Sequence, residues 1–155
     1  MNSLSNQEMI DELYNASAAG VNIDLIVRGV CCLRPGIEGM SERITVRSIV
    51  DRFLEHSRIY YFENGGSPEI LLSSADWMTR NLTRRVELMC PVKRKETKEA
   101  LIEILSLSLS DNVKARKLVS NGKYEPIVNE LPRCRSQQAA LDISAWKKGS
   151  SPIPT

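Results

Sequence analysis

Apolar residues recur at helical spacing in three stretches of the chain. Residues 9–16 predict a first helix, and Gly20 follows it as a stop signal. Residues 97–109 carry the clearest amphipathic pattern and predict a longer helix. Between these two stretches, the apolar positions of residues 49–54 fit one face of a short helix.

Short runs of apolar and β-branched residues predict strands. Residues 21–28 are mostly apolar, which indicates a strand that is buried on both faces, as in a parallel sheet. Further strands are predicted over residues 44–47, 59–62, 69–73 and 85–90. The sequence Asn64-Gly65-Gly66 is a strong turn signal between two of these strands, which we therefore expect to pair as a hairpin. Strands that alternate with helices predict an α/β layered domain.

Both ends of the chain depart from this pattern. A compact α/β domain usually opens on a strand, whereas the first element here is a helix, so we expect the chain to lack an upstream strand. Beyond Asp111 the pattern weakens and basic residues accumulate. Residues 137–146 predict one more helix, and residues 149–155, rich in Ser and Pro, are expected to be disordered.

Composition narrows the class of protein. A chain of 155 residues with 42% hydrophobic residues is large enough for one domain with a core. The net charge of +2 argues against a general nucleic-acid binder, so any anion site must come from the placement of arginines. The four cysteines form no zinc-ligand pattern, and no secretory signal or membrane-spanning run is visible. A reducing cytoplasm with free thiols is the simplest expectation.

His56, the only histidine, is the first candidate for chemistry, because an imidazole moves protons near neutral pH. Arg28 and Arg85 also fall at or near predicted strand ends, where ligands collect in open α/β sheets. Two arginines around a histidine would suit phosphoryl transfer, with charge held by the guanidinium groups. The alternative is structural: a packed or capping histidine, and arginines in ion pairs with Asp24, Glu55 or Glu87.

Residues 73–81 are the second unusual stretch. They place two hydroxyls, a carboxylate and an amide directly after a strand, in Ser73, Ser74, Asp76 and Asn81. Such groups can orient a histidine or bind phosphate oxygens. They can equally cap a helix or build a turn, and residues 74–82 read as a polar loop or a short helical turn.

Three stretches carry a resemblance to a known family: VNIDLIVRGVCCL (residues 21–33), DRFLEHSRIYYF (51–62) and SSADWMTRNLTRR (73–85). They resemble the C-terminal catalytic domain of bacterial polyphosphate kinase, and SSADWMTRN is highly specific. The resemblance covers roughly residues 1–117 and is less secure beyond residue 123. It implies an α/β fold of the phospholipase D-like kind, a layered sheet flanked by helices.

Proteins of the phospholipase D-like superfamily carry His-x-Lys-x(4)-Asp followed by Gly-Ser-x-Asn. This chain resembles a degenerate version, in which Arg58 stands for the lysine, Glu63 for the aspartate, and residues 73–76 for Gly-Ser-x-Asn. These departures argue against phosphodiesterase activity and are consistent with a kinase.

The resemblance implies reversible transfer of the terminal phosphate of ATP to inorganic polyphosphate. His56 would assist the transfer as general acid or base, with Arg28 and Arg85 as ATP or phosphate ligands. Arg58, Ser73, Ser74, Asp76 and Asn81 would support them. The phosphorylated histidine and most of the Mg²⁺ site would lie in the preceding domains, the missing N-terminal portion of the kinase. Alone, the chain is then expected to be inactive.

The expected organisation is a catalytic domain over residues 1–120 and a basic, partly helical tail over residues 121–155. The expected partners are ATP or ADP, polyphosphate and the missing portion of the kinase, with no specific nucleic acid and no transmembrane segment; homo-oligomerisation stays open. The expected location is the cytoplasm, with peripheral association with the inner membrane as a variant.

Two alternative functions remain: a phospholipase D-like phosphodiesterase acting as a homodimer, and a non-catalytic polyphosphate-binding module.

Overall fold

The computed structural model describes residues 1–141. Within this range the elements are, in order, α1 (Gln7–Ala18), β1 (Ile23–Ile26), β2 (Ile44–Ile49), β3 (Ile59–Phe62), a 3₁₀ turn (Asn64–Gly66), β4 (Glu69–Ser73), α2 (Thr79–Arg84), β5 (Met89–Pro91), α3 (Lys95–Ser110), β6 (Ala115–Leu118) and β7 (Tyr124–Pro126). Residues 136–141 are again helical. The helices predicted over residues 9–16 and 97–109 are confirmed as α1 and α3.

The first sheet has the strand order β1-β2-β6-β7. β1 pairs in parallel with β2, with Ile23 opposite Ile44, whereas β6 and β7 add antiparallel strands. The parallel pairing expected for residues 21–28 is confirmed. The prediction that this strand is buried on both faces is wrong. β1 is an edge strand of the sheet, and Leu25 is buried while its neighbour Asp24 is exposed.

The second sheet is antiparallel and has the strand order β3-β4-β5. The predicted hairpin is confirmed, since β3 and β4 pair directly and the 3₁₀ turn joins them. Asn64, Gly65 and Gly66 all take positive φ angles (49°, 61° and 91°), which glycine and asparagine adopt at low cost. The Asn-Gly-Gly sequence therefore directs the reversal of the chain.

Residues 1–5 form an extended segment that connects the two halves of the molecule. Leu4 makes parallel bridges with both Cys31, beyond β1, and Trp77, beyond β4. The N–H of Leu4 donates to Val30 O (2.8 Å), and the N–H of Ser5 donates to Trp77 O (2.9 Å). Backbone hydrogen bonds thus hold this segment on both of its edges.

The Leu4 side chain is fully buried in the main core. The core also contains residues from α1, both strands of the parallel pair, the segment that joins these strands, and β6: Ile10, Leu25, Val27, Leu33, Ile44, Val46 and Leu118. α1 covers this core, and it begins where the Asn6 side chain accepts a hydrogen bond from the N–H of Met9 (3.0 Å).

The helix predicted over residues 49–54 is wrong. Ile49 ends β2, and residues 50–58 contain neither helix nor strand. Apart from Ile49, the apolar residues that suggested a helix face are exposed: Val50 by 68%, Phe53 by 43% and Leu54 by 77%. Because these three side chains stay exposed among residues 1–141, the spacing of the apolar residues does not produce a helix.

Two further predictions need correction. The strand expected over residues 85–90 begins only at Met89, because residues 85–88 form an exposed link in which Val86 is fully exposed. The weakly patterned basic region contains two strands, β6 and β7, that the pattern did not indicate. β7 lies beyond residue 120 and still hydrogen bonds to β6.

Of the final helix predicted over residues 137–146, residues 137–141 are helical and the rest lies outside the described residues. The disorder expected for residues 149–155 also lies outside them. Within residues 1–141, no helix is long and apolar enough to cross a membrane.

Candidate functional site

His56 lies on the irregular segment of residues 50–58, which we call the His56 loop, and its side chain is exposed. The guanidinium group of Arg58 lies beside the imidazole, with Nη1 3.1 Å from Nδ1 and Nη2 3.3 Å from Nε2. Nη1 also donates to the carbonyl oxygen of His56 (3.1 Å). A guanidinium group only donates, and a neutral imidazole accepts through one nitrogen, so the other ring nitrogen carries an N–H.

Arg58 is in turn held by Asp76. Nε donates to Oδ1 (3.1 Å) and Nη2 donates to Oδ2 (3.0 Å), which makes a two-point ion pair. Both side chains are largely buried, 11% exposed for Arg58 and 9% for Asp76. The two hydrogen bonds to Asp76 therefore hold the Arg58 guanidinium group in one orientation beside the His56 imidazole.

The Asp76 carboxylate also accepts hydrogen bonds from the backbone N–H groups of Asn2 (2.8 Å) and Ser3 (3.3 Å). Burial alone would raise the pKa of Asp76, but the hydrogen bonds from Arg58 and from these backbone groups lower it on balance. The carboxylate thus stays charged and ties the arginine to the N-terminal segment.

Arg28 lies two residues beyond β1 and is half-buried. Its N–H donates to Met1 O (3.3 Å), and its carbonyl oxygen accepts from the Ser48 hydroxyl (3.0 Å). Among residues 1–141, no carboxylate forms an ion pair with its guanidinium group, so the salt bridge considered from the sequence is not found there. The five N–H donors of this guanidinium are therefore available to an anion.

Arg85 belongs to a separate cluster around Glu87. Its Nε lies 3.7 Å from Glu87 Oε1, and the same oxygen accepts from Asn81 Nδ2 (3.0 Å). The Ser74 hydroxyl donates to the other carboxylate oxygen. Arg85 thus forms the ion pair with Glu87 that was the structural alternative for this residue. Because the arginine side chain is 59% exposed, the pair is weak and leaves the N–H donors of Arg85 accessible.

Ser73 is occupied by the backbone. Its hydroxyl donates to Leu88 O (3.2 Å) and accepts from the N–H of Ala75 (3.0 Å), which closes the turn after β4. Glu63, which stands at the aspartate position of the degenerate motif, accepts a hydrogen bond from the Tyr61 hydroxyl. In the described residues, neither side chain hydrogen bonds to His56.

The structure therefore brings His56, Arg58 and Asp76 together, and it groups Ser74, Asn81 and Arg85 around Glu87. Sequence reasoning missed Glu87 as the centre of that second cluster and named it only as a salt-bridge partner. It also missed the residues that hold the His56 loop from the C-terminal side, such as Arg135, whose Nε (2.8 Å) and Nη2 (2.6 Å) donate to Asp51. An isolated arginine 84 residues away in the chain gives no sequence signal for such a contact.

The described residues offer no metal site of their own. All four cysteines are free, and within residues 1–141 no three His, Cys, Asp or Glu side chains converge to hold a metal ion. The side chains described here can move a proton at the His56 imidazole and can bind anions through arginine.

Comparison with known proteins shows which family the chain resembles. Residues 1–137 match the family model described as polyphosphate kinase C-terminal domain 2. The chain is 58% identical over 124 residues to a polyphosphate kinase of Halalkalibacterium halodurans, covering 80% of the chain and 18% of that protein. It is 50% identical over 153 residues to polyphosphate kinase 1 of Chlorobaculum tepidum, covering 99% of the chain and 22% of that protein.

A solved structure gives the same result. The crystal structure of polyphosphate kinase from Porphyromonas gingivalis superposes with a TM-score of 0.93 at 43% identity, covering 97% of the chain and 23% of that structure. The α/β fold expected from the sequence is confirmed by this match. The chain spans about a fifth of the length of the relatives that it matches. On the family model, the relatives and the superposed structure together, this chain belongs to the polyphosphate kinase C-terminal domain 2 family.

Proposed function

We propose that this chain forms part of the site at which the terminal phosphate of ATP is transferred, reversibly, to inorganic polyphosphate. The observation that supports this function best is the buried Arg58–Asp76 pair, which holds a guanidinium group against His56. A surface histidine without a functional role would not require a buried, two-point ion pair to hold an arginine against its ring. In this proposal the chain acts together with the kinase portion that precedes it.

His56 acts as the general acid or base of the transfer. When one ring nitrogen accepts from Arg58, the other carries an N–H that can donate to an oxygen of the transferring phosphate group. As general acid the ring starts with both nitrogens protonated: it gives one proton to that oxygen as negative charge develops and is left as a neutral imidazole, which takes the proton back in the reverse reaction. Arg58 fixes the ring, and Asp76 fixes Arg58.

Arg28 and Arg85 bind phosphate oxygens. Arg28 is the stronger candidate, because it is half-buried and has no carboxylate partner within residues 1–141. Arg85 would have to leave its exposed contact with Glu87, which costs about 0–1 kcal/mol. We assign most of the site for the Mg²⁺ that accompanies the nucleotide to the preceding domains, as the family resemblance implies.

The catalytic part corresponds to residues 1–120, and the basic region that follows would assist polymer binding. The fold is proposed to be phospholipase D-like, and the protein is proposed to work in the cytoplasm, with any contact with the inner membrane peripheral.

The test is complementation. The chain is mixed with the preceding portion of a polyphosphate kinase, and ATP-dependent polymer formation is measured. His56→Ala should lower the rate about 10²–10⁴-fold, and Arg28→Ala should raise the KM for ATP. Glu99→Ala, an exposed change on α3, serves as the matched control and should have no effect. No polymer formation by two folded pieces would contradict the proposal.

A second candidate, a polyphosphate-binding module, is favoured by one observation. A shallow cavity on the first sheet is lined by Ser48, Val50, Lys114, Arg116 and Tyr124, and so presents two basic side chains. Calorimetry with ATP and with short polyphosphate separates the two functions. Polymer binding that depends strongly on salt and survives both His56→Ala and Arg28→Ala would favour the binding module.

A further inference from the structure

The His56 loop has no regular backbone hydrogen bonding of its own, since residues 50–58 form neither helix nor strand. Packing does not hold it either, because its apolar side chains Val50 and Leu54 are mostly exposed. The Arg58–Asp76 pair fixes the end of the loop that leads into β3. Something else must fix the part of the loop that precedes His56.

Gln137 supplies that restraint. Its Oε1 accepts from the N–H of Phe53 (2.8 Å), and its Nε2 donates to the carbonyl oxygen of Phe53 (2.8 Å). Nε2 also lies 3.4 Å from Glu55 Oε1. A single amide side chain thus pairs with both backbone groups of one residue, as a neighbouring strand would, three positions before His56.

Gln137 is itself firmly placed. It is buried, and its neighbour Ser136 donates to Asp111 Oδ2 through both N–H (2.8 Å) and hydroxyl (2.7 Å). Asp111 Oδ1 accepts three further backbone N–H groups, from residues 113–115 at the start of β6. The residue that holds the His56 loop is therefore anchored to the first sheet.

Arg135 adds a second restraint on the same side. Its two-point pair with Asp51 fastens the beginning of the loop, close to where β2 ends. Residues 135–137 thus contact the loop at Asp51 and at Phe53, from a position 84 residues further along the chain. Because residues 135–137 make two independent contacts with the loop, we infer that they set the position of its backbone.

We propose that Gln137 is a positioning residue for His56: it holds the backbone of Phe53 and so sets the place of the imidazole during phosphoryl transfer. The inference rests on the function proposed for His56. Gln137 does not touch the reacting groups itself. Its effect reaches His56 through the backbone of residues 53–56.

The test uses the full 155-residue chain with Gln137→Met, which keeps the length of the side chain and removes both polar groups. Hydrogen–deuterium exchange at the Phe53 amide, which donates to Gln137, should be at least about tenfold faster than in the parent chain, while exchange in β1 and β2 stays unchanged. Ile10→Val, a conservative core change in α1, controls for a general loss of stability and should leave the Phe53 amide as it is. Gln137→Glu, which keeps the acceptor for the Phe53 N–H but loses the donor, should give an intermediate rate.

Kinetics give the second readout. In the complementation assay, Gln137→Met should lower kcat about tenfold to a hundredfold, because a misplaced catalytic group loses orientation. The KM for ATP should stay within about twofold, since Arg28 is not part of the loop. A change in KM alone, or a loss of rate equal to that of Ile10→Val, would assign Gln137 a merely structural role and overturn the proposal.

The two proposals fail in different ways. If the parent pieces form no polymer, the function proposed for the chain is contradicted, and exchange at the Phe53 amide alone decides whether Gln137 holds the loop. Unchanged exchange in Gln137→Met overturns the inference whatever the activity. Faster exchange with full kcat, in an assay where His56→Ala is inactive, overturns it as well.

Discussion

Replacing Asp76 with alanine should destabilise the fold by about 3–5 kcal/mol. The change leaves the Arg58 guanidinium without a counter-charge in a site where the side chain is only 11% exposed, and breaking one side of a buried ion pair costs this much. It also removes the acceptor of the backbone N–H groups of Asn2 and Ser3. These losses share one site and do not simply add.

Urea denaturation followed by circular dichroism measures the effect. With a slope of about 2 kcal/mol per M, a loss of about 4 kcal/mol lowers the unfolding midpoint by about 2 M. The matched control is Glu99→Ala, which removes the exposed pair with Lys95 and should shift stability by no more than about 0.5 kcal/mol.

A double variant separates charge from shape. Arg58→Met combined with Asp76→Ala removes the stranded charge and should recover part of the loss, because the cost comes mainly from an uncompensated buried ion. A loss below about 1 kcal/mol in Asp76→Ala, or no recovery in the double variant, would refute this reasoning.

Three further predictions concern stability. The hydrogen bonds from Arg135 lower the pKa of Asp51 to about 2. The stability that this pair contributes should therefore be complete above the unfolded pKa of about 3.9 and be lost as pH falls through about 2. In Asp51→Asn, the urea midpoint should no longer depend on pH over that window through this pair. Leu4→Ala opens a cavity at a fully buried position and should cost about 2–5 kcal/mol in urea unfolding, and a loss below 1 kcal/mol would contradict its place in the core. Gly29→Ala would place a Cβ atom 2.9 Å from the backbone oxygen of Asn2, so the melting temperature should fall by an amount equivalent to about 1–3 kcal/mol, whereas an unchanged value would show that the segment can shift.

Sequence patterns predicted the elements whose apolar faces are covered. α1 follows from its periodic apolar residues and the stop signal at Gly20, and the hairpin follows from Asn64-Gly65-Gly66. The same reasoning failed over residues 49–54, where the spacing imitates a helix but Val50 and Leu54 stay largely exposed within residues 1–141. β6 was missed because only its end residues, Ala115 and Leu118, are buried, so no alternation shows.

Single residues of the candidate site were accessible from the sequence, but their pairing was not. His56 and Arg58 stand out in one short stretch, and Asp76 stands out in another. Nothing in the sequence shows that Arg58 and Asp76 meet, because that contact depends on how β3 and β4 pair and on the turn after β4. Gln137 gave no signal at all, since a polar residue near the start of a helix is ordinarily solvated.

The segment of residues 1–5 also governs how the domain unfolds. Among the described residues, no strand of the first sheet pairs with a strand of the second. The segment hydrogen bonds on both sides, through Leu4 to Val30 beyond β1 and through Ser5 to Trp77 beyond β4. Its contacts with Trp77 span more than 70 residues, so they form only after the chain between them has been ordered. We therefore expect both sheets to melt in one cooperative transition while this segment is seated, and to melt as two separate units once it is displaced.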